Sequence, residues 1–336
     1  MAAEPLASSP RAAALVLGFH PGRARTVLAT LLVLFALAVT LFMTYDLKGS
    51  LDYALELRGR KVAGMALVGF AVAYSSVLFH TATHNRILTP SLMGFDSLYV
   101  LIQTLAAYFL GTAEFLQIDV RLRYGLEVLA MIGFAMLLYR WLLGRGDRDV
   151  YVLVLVGIIM GTVFSNLTEL VMRMIDPNEF TQLQDRLFAN FSTVNQDLLV
   201  VSAITVGLVT IASWPMLSRL DVVALGREHA TNLGVDHDQL VRRALFVVAI
   251  LVSVSTALVG PVAFLGLLVA NLSYQLTGTF RHRYTVPAAG LLGMLALVGG
   301  QFVLQEFLEF QTRLSIIISF AGGIYFIYLL YREARR

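Results

Sequence analysis

The sequence predicts an all-α membrane protein of about ten transmembrane helices, and three observations carry that prediction. Hydrophobic residues make up 58% of the 336 residues and charged ones only 14%, well below the quarter usual in soluble domains. Apolar runs of about twenty residues, the length that crosses roughly 30 Å of hydrocarbon, recur along the whole chain. The runs are continuous rather than alternating, which excludes a transmembrane barrel, whose strands are about ten residues with a period of two.

Residues 1–25 read as a tail containing Ala, Pro and Arg, with no cleavable signal, and 26–336 as one integral membrane domain. Spans are expected near 26–45, 62–79, 92–111, 124–143, 151–174, 198–216, 241–259, 262–277, 285–307 and 314–331. The third and eighth open on similar signals, Pro90-Ser-Leu-Met-Gly94-Phe and Pro261-Val-Ala-Phe-Leu-Gly266-Leu. Proline is tolerated there because a first helical turn lacks hydrogen-bond partners anyway. An offset of five spans would set the two copies in opposite orientations, as in inverted-repeat transporters. Between the fifth and sixth spans, Phe180, Leu183, Leu187 and Phe191 recur at helix-like spacing and predict a short interfacial amphipathic helix.

Charge sets the expected orientation. Of the 25 Lys and Arg, only Lys48, Arg58, Arg60, Lys61, Arg121, Arg123, Arg173, Arg186 and Arg313 fall on the side opposite the N-terminus. The excess on the N-terminal side predicts that both termini are cytoplasmic. The chain has no Cys, which removes disulfides and thiolate metal sites. No G-x-x-x-x-G-K-[ST] phosphate loop is present, so ATP binding by that route is not expected of this chain. His80 and His84 share a helical spacing that could hold a metal, but no carboxylate accompanies them, and no metal site or nucleic-acid partner is expected.

Several polar residues lie within or at the edges of spans: Gln103, Asn271, Gln301 and Gln305, and on the fifth span Asn166, Thr168, Glu169 and Arg173. Polar groups are costly in hydrocarbon and usually face a bundle interior or a water-filled path. Glu169 and Arg173, four apart, could pair on one helix face, and Asn166, Glu169 and Arg173 are candidate path-lining residues.

The remaining feature is a polar island, Leu220 to Gly234, between the sixth and seventh spans. Asp221 reads as the cap of one short helical turn that Gly226 interrupts, and Arg227–Leu233 as a second short helix. Glu228 falls in its first turn and Gly234 supplies the left-handed stop. Val222, Val223 and Leu225 give the island an apolar edge, to be covered by the membrane domain or by a docked partner.

These residues carry a resemblance. Leu225-Gly-Arg-Glu-His-Ala-Thr-Asn-Leu-Gly-Val-Asp236 closely resembles the cytoplasmic coupling segment of FecCD-type permeases, the membrane subunits of importers for iron–siderophores, haem and cobalamin. Arg58-Gly-Arg-Lys61, Asn85-Arg-Ile-Leu-Thr-Pro-Ser-Leu-Met-Gly94, Val259-Gly-Pro-Val-Ala-Phe-Leu-Gly-Leu267 and Phe320-Ala-Gly-Gly-Ile-Tyr-Phe-Ile327 match further family segments in order. The stretch Arg86–Tyr99 looks most like the siderophore branch, particularly catecholate-type permeases that pair with a different permease chain.

The resemblance implies the type II permease fold of ABC importers. It also implies a second permease subunit, a separate ATPase that holds ATP and Mg, a periplasmic or lipid-anchored siderophore-binding protein, and a place in the bacterial inner membrane. No cofactor is then expected in this chain. Leu225, Gly226, Arg227, Glu228, Ala230, Leu233 and Gly234 inherit the ATPase-coupling role. Arg58 with Arg60 or Lys61 inherits docking of the binding protein. Departures occur at Asn85-Arg86-Ile87, where the family usually has Asn-Pro-Leu, and at Arg313-Leu314-Ser315, where it has proline in the last loop. A further docking arginine falls near Gln305 and does not carry over. The competing expectation, an ion-gradient-driven secondary transporter, would want a buried carboxylate near mid-membrane, and only Glu169 and Asp96 come near that place, both close to span ends.

Overall fold

A computed structural model describes residues 21–46, 51–143, 150–177, 179, 187–191, 194–307 and 313–334. The predicted tail thus lies almost wholly outside the described residues, as do Phe180 and Leu183 of the expected amphipathic helix. The long helices are α1 (Pro21–Thr44), α2 (Leu51–Thr83), α3 (Phe95–Leu110), α5 (Val120–Leu143) and α6 (Val150–Met172). They continue with α7 (Gln196–Ser213), α10 (His237–Val259), α11 (Leu265–Thr277), α12 (His282–Phe307) and α13 (Leu314–Ala334). Among the described residues three short helices lie between them: α4 (Thr112–Gln117), α8 (Leu217–Val223) and α9 (Arg227–Asn232).

Helices thus occupy all ten predicted places, and among the described residues eight are long and apolar enough to cross a membrane. The other two, α3 and α11, have 16 and 13 residues and reach about 24 and 20 Å at 1.5 Å per residue, short of a bilayer core. The predicted starts of the third and eighth helices, 92 and 262, shift to Phe95 and Leu265, because the residues before them belong to loops. Pro90–Met93 forms a 3-10 turn and Gly94 turns left-handed at φ 87° before α3 starts. In the second copy Pro261 follows Gly260, and Phe264, at φ 61°, turns left-handed before α11. Each loop rests on glycine. A Cβ on Gly94 would lie 2.8 Å from the Cα of Gly161 on α6, and one on Gly157 3.0 Å from the Met93 side chain. A Cβ on Gly322 of α13 would collide with the Phe264 side chain. The sequence echo is therefore an echo of geometry: span five supports the first loop and span ten the second.

The helix α2 begins at Leu51, well before the predicted span at 62, because hydropathy marks hydrocarbon rather than the start of a helix. With 33 residues it is about 50 Å long and projects beyond the bilayer. Together with α10 it forms the centre, each with 67% of its apolar stretch buried, against 11% for α1 and 22% for α13. Water is absent from a bilayer core, so helices there are held by close packing and interhelical hydrogen bonds rather than by hydrophobic exclusion. Tyr74 of α2 bonds Ser213 of α7 at 2.7 Å, and Tyr124 of α5 bonds Ser202 of α7 at 2.8 Å.

Among the described residues, α2 and α12 meet backbone against backbone, where a Cβ on Gly69 would fall 2.6 Å from the carbonyl carbon of Gly293. No flexible side chain is available to yield there. Gly69→Leu should therefore separate the two helices and cost on the order of 1–3 kcal/mol, read as a lowered unfolding temperature in detergent. Gly125→Ala, inside α5 with nothing within 4 Å, should not lower that temperature.

Candidate functional site

The polar island folds as the sequence indicates in its second half and differently in its first. A helix break is required at residue 226, where φ 101° and ψ 162° suit glycine alone. The α9 helix then runs to Asn232. It closes with Val235 N–H donating to the Ala230 carbonyl at 2.9 Å and Gly234 N–H to Thr231 at 2.9 Å, with Gly234 left-handed at φ 76°. That is the paired closure expected of a glycine stop. Asp221, in contrast, caps nothing in its own helix. It lies within α8, and its Oδ1 accepts the backbone N–H of His282 at 2.8 Å and lies 2.6 Å from His282 Nδ1. It therefore caps the N-terminus of α12 across 61 positions of sequence, where a negative charge also suits the helix dipole.

The island is anchored at further points. His282 Nε2 lies 2.7 Å from Thr81 Oγ1 of α2. His84 ends α2 in a left-handed turn at φ 51° and donates from Nε2 to the Val223 carbonyl of α8 at 3.0 Å. Its ring stacks on His237 at 5.8 Å. The pair His80 and His84, considered as metal ligands from spacing, is thus divided: His84 holds α8, and His80 is buried against Tyr274.

Burial splits the island into two faces. Leu220, Val223 and Ala230 are fully buried against the spans, whereas Leu225 and Leu233 are 50% and 63% exposed. Glu228 and His229 are also exposed, and Gly226 and Gly234 have open space where a Cβ would stand. Arg227 is held within the chain by Asp238 at 2.8 Å. The exposed edge is therefore Leu225 and Leu233 with Glu228 between them, and the membrane domain covers Val223 from the other side.

At the opposite end the three basic candidates separate. Arg58 Nη1 donates to the carbonyls of Phe42 at 2.8 Å and Tyr45 at 2.6 Å, and Nη2 to Asp46 at 3.2 Å. Its charge is spent on the C-terminus of α1, where carbonyls lack partners and the helix dipole favours a cation. Arg60 pairs weakly with Glu56 at 3.6 Å, and Lys61 is half-buried.

The fifth span packs through one narrow stripe, Leu153, Gly157, Gly161, Phe164 and Thr168, all buried at helical spacing. Its other faces, with Asn166, Glu169 and Arg173, are exposed. Apolar side chains share that exposure, Ile159 at 53% and Leu170 at 57%. A carboxylate overlooked in the sequence lies in α5. Glu127 is 3% exposed, accepts Gln103 Nε2 at 2.8 Å, and stands 3.6 Å from Arg123. An ionisable residue inside an apolar run was the available signal.

Asp221→Ala should remove both the α12 cap and the His282 partner, at a cost of about 1–2 kcal/mol. Asp221→Asn should lose less, because an amide oxygen still caps. Thermal unfolding of the purified chain checks the order; equal losses would show that the cap contributes nothing.

Comparison with known proteins places this architecture. The model of the FecCD transport family matches residues 25–332. The chain is 47% identical over 306 residues, covering 91% of it and 97% of the relative, to the petrobactin import system permease protein YclO of Bacillus subtilis (strain 168). It is 34% identical over 312 residues to the petrobactin import system permease protein FatC of Bacillus anthracis, covering 91% of this chain and 88% of that one. Among solved structures, one described as an inward-facing conformation of a metal-chelate type ABC transporter superposes with a TM-score of 0.78. That likeness covers 92% of this chain and 99% of that one at 22% identity, and it supports the same fold. With the family's model matched across nearly its whole length, the chain belongs to the FecCD transport family.

Proposed function

We propose that this chain is the membrane-spanning subunit of an ATP-driven importer that takes up a ferric siderophore, of catecholate type, from a binding protein. The observation that carries the proposal is the two-faced island. Its inner face is bonded to α2 and α12, and its outer face offers Leu225, Glu228 and Leu233 to a partner. On this reading the partner is a cytoplasmic ATPase that holds ATP and Mg, and both termini lie on its side of the inner membrane. The position of Arg23, Arg86, Arg227 and Arg281 at the island's end of the bundle, opposite Arg58, Arg121 and Arg313, supports that orientation. The siderophore assignment draws on the two petrobactin permeases.

The exposed faces of α6 and α13 fit a second permease subunit, with the solute path between the two copies of α6. Asn166, Glu169 and Arg173 would then border that path. The resemblance to siderophore-type permeases favours a partner encoded by a different chain. The ion-gradient alternative finds less support, because Glu127, buried within α5, is already occupied by Gln103 and Arg123.

Two experiments test this. Leu225→Asp with Leu233→Asp should leave an inserted, folded protein that no longer co-purifies with the ATPase, since each leucine is worth about 1.5–3 kcal/mol when buried. Undiminished uptake in that variant would remove the coupling assignment. On the outer face, Arg60→Glu with Lys61→Glu should weaken capture of the loaded binding protein, more strongly at low salt, where charges are least screened. Arg58→Ala should instead lower thermal stability by about 1.5–3 kcal/mol, the worth of a charged hydrogen-bond set. Unchanged affinity in the first variant across ionic strengths would place the docking surface elsewhere.

A further inference from the structure

A cleft of about 390 Å³ opens between α7 and α10, at the root of the coupling island. Its wall is apolar, formed by Val209, Met216, Leu240, Phe246, Val247 and Ile250. Its rim carries Arg219 and Arg243, both exposed. Neither makes a hydrogen bond or ion pair with any described residue. The carboxylate nearest Arg219 in sequence, Asp221, is taken by His282. Trp214, 47% exposed, stands between the lining residues Ser213 and Pro215, as tryptophan does at the boundary between headgroups and hydrocarbon.

The arrangement is amphipathic along the helix axes. From Arg243 to Ile250 the α10 wall descends seven residues, about 10 Å, into the span. A soluble anion would satisfy the arginines and leave the wall bare. An acyl chain alone would fill the wall and leave two cations without a counter-charge. A guanidinium presents a planar fork that matches phosphate oxygens, and basic pockets between helices at a membrane surface select anionic headgroups.

We propose that this cleft binds one anionic phospholipid of the adjoining leaflet, its phosphate held by Arg219 and Arg243 and an acyl chain along the Val209–Ile250 wall. The lipid would fill the space between the two spans from which the coupling island is suspended. The proposal concerns the cleft alone and stands whether or not an ATPase docks on Leu225 and Leu233.

Trp214 provides the reporter. The chain has two tryptophans, and Trp141→Phe leaves Trp214 alone. The full chain carrying that change is placed in phosphatidylcholine vesicles doped with brominated phosphatidylglycerol or, at equal mole fraction, brominated phosphatidylcholine. Quenching should report an enrichment of the anionic lipid on the order of thirtyfold, the factor that about 1 kcal/mol per arginine near a membrane surface gives. Arg219→Gln with Arg243→Gln should abolish the preference, and Arg219→Lys with Arg243→Lys, which keeps the charge, should retain most of it. Equal quenching by the two lipids, or a preference that survives the glutamine pair, overturns the proposal. Relief of quenching by inorganic phosphate would reassign the arginines to a free anion, and relief by added ATPase subunit to a protein interface; either result also overturns it.

Discussion

The backbone contact between Gly69 and Gly293 is the constraint on which the rest of the bundle depends. In a bilayer no hydrophobic force drives helices together, so two long helices stay paired only where small residues allow their backbones to touch. At this crossing the absence of both side chains brings α2 and α12 into direct contact. Most other described spans pack on that pair or on α10, which packs on α2 from another side, and α6 joins them mainly through α3. Bulk at the crossing would displace two helices at once.

The same two helices receive the polar island. At one end of the bundle Asp221 caps α12 and its partner His282 reaches Thr81 on α2, while His84 at the end of α2 holds the Val223 carbonyl. The α8 helix is thus bonded to both members of the pair whose midpoints are in backbone contact. Force applied to the exposed Leu225–Leu233 edge has a short path into the bundle, through hydrogen bonds rather than through a flexible loop. Packed elements of this kind move as bodies rather than deform gradually, which is the behaviour required of a device that alternates between two openings. Arg227 and Asp238 add an exposed brace between α9 and α10, and such a pair contributes only about 0.2–1 kcal/mol.

Spans three and eight are where the fold gives up regularity. Each is shorter than a bilayer and follows a loop that turns left-handed just before its helix, at Gly94 in one copy and Phe264 in the other. Irregular backbone at membrane depth is tolerated where protein surrounds it or where it borders a cavity. Here α6 supports the first loop through Gly157 and Gly161, and α13 the second through Gly322. Both supporting helices leave much of their remaining surface exposed within the single chain, which suits subunits that meet across a central path.

Read from the sequence, hydropathy located ten helices, and the bias of Lys and Arg sorted their connections into two ends that the structure keeps apart. Glycines with positive φ marked the bounds of the short helix in the polar island. These are local properties: a run of apolar residues, a count of charges, and a backbone angle that glycine adopts without a Cβ penalty. The partners of individual polar groups were not legible. Asp221 read as a local cap and instead caps a helix 61 positions away. Arg58, read as a docking cation, is also the donor that satisfies the carbonyls at the end of α1. Glu127, unremarked within its apolar run, is buried between Gln103 and Arg123. Each of these outcomes depends on which distant donor or acceptor the packing of the bundle brings within about 3 Å, and unpaired polar groups in a low-dielectric interior are costly enough to enforce the pairing. The sequence by itself determined the spans, their grouping into two ends and the bounds of the polar island, because those follow from neighbours along the chain; only the tertiary structure decided which charges were left to meet a partner, because that follows from neighbours in space.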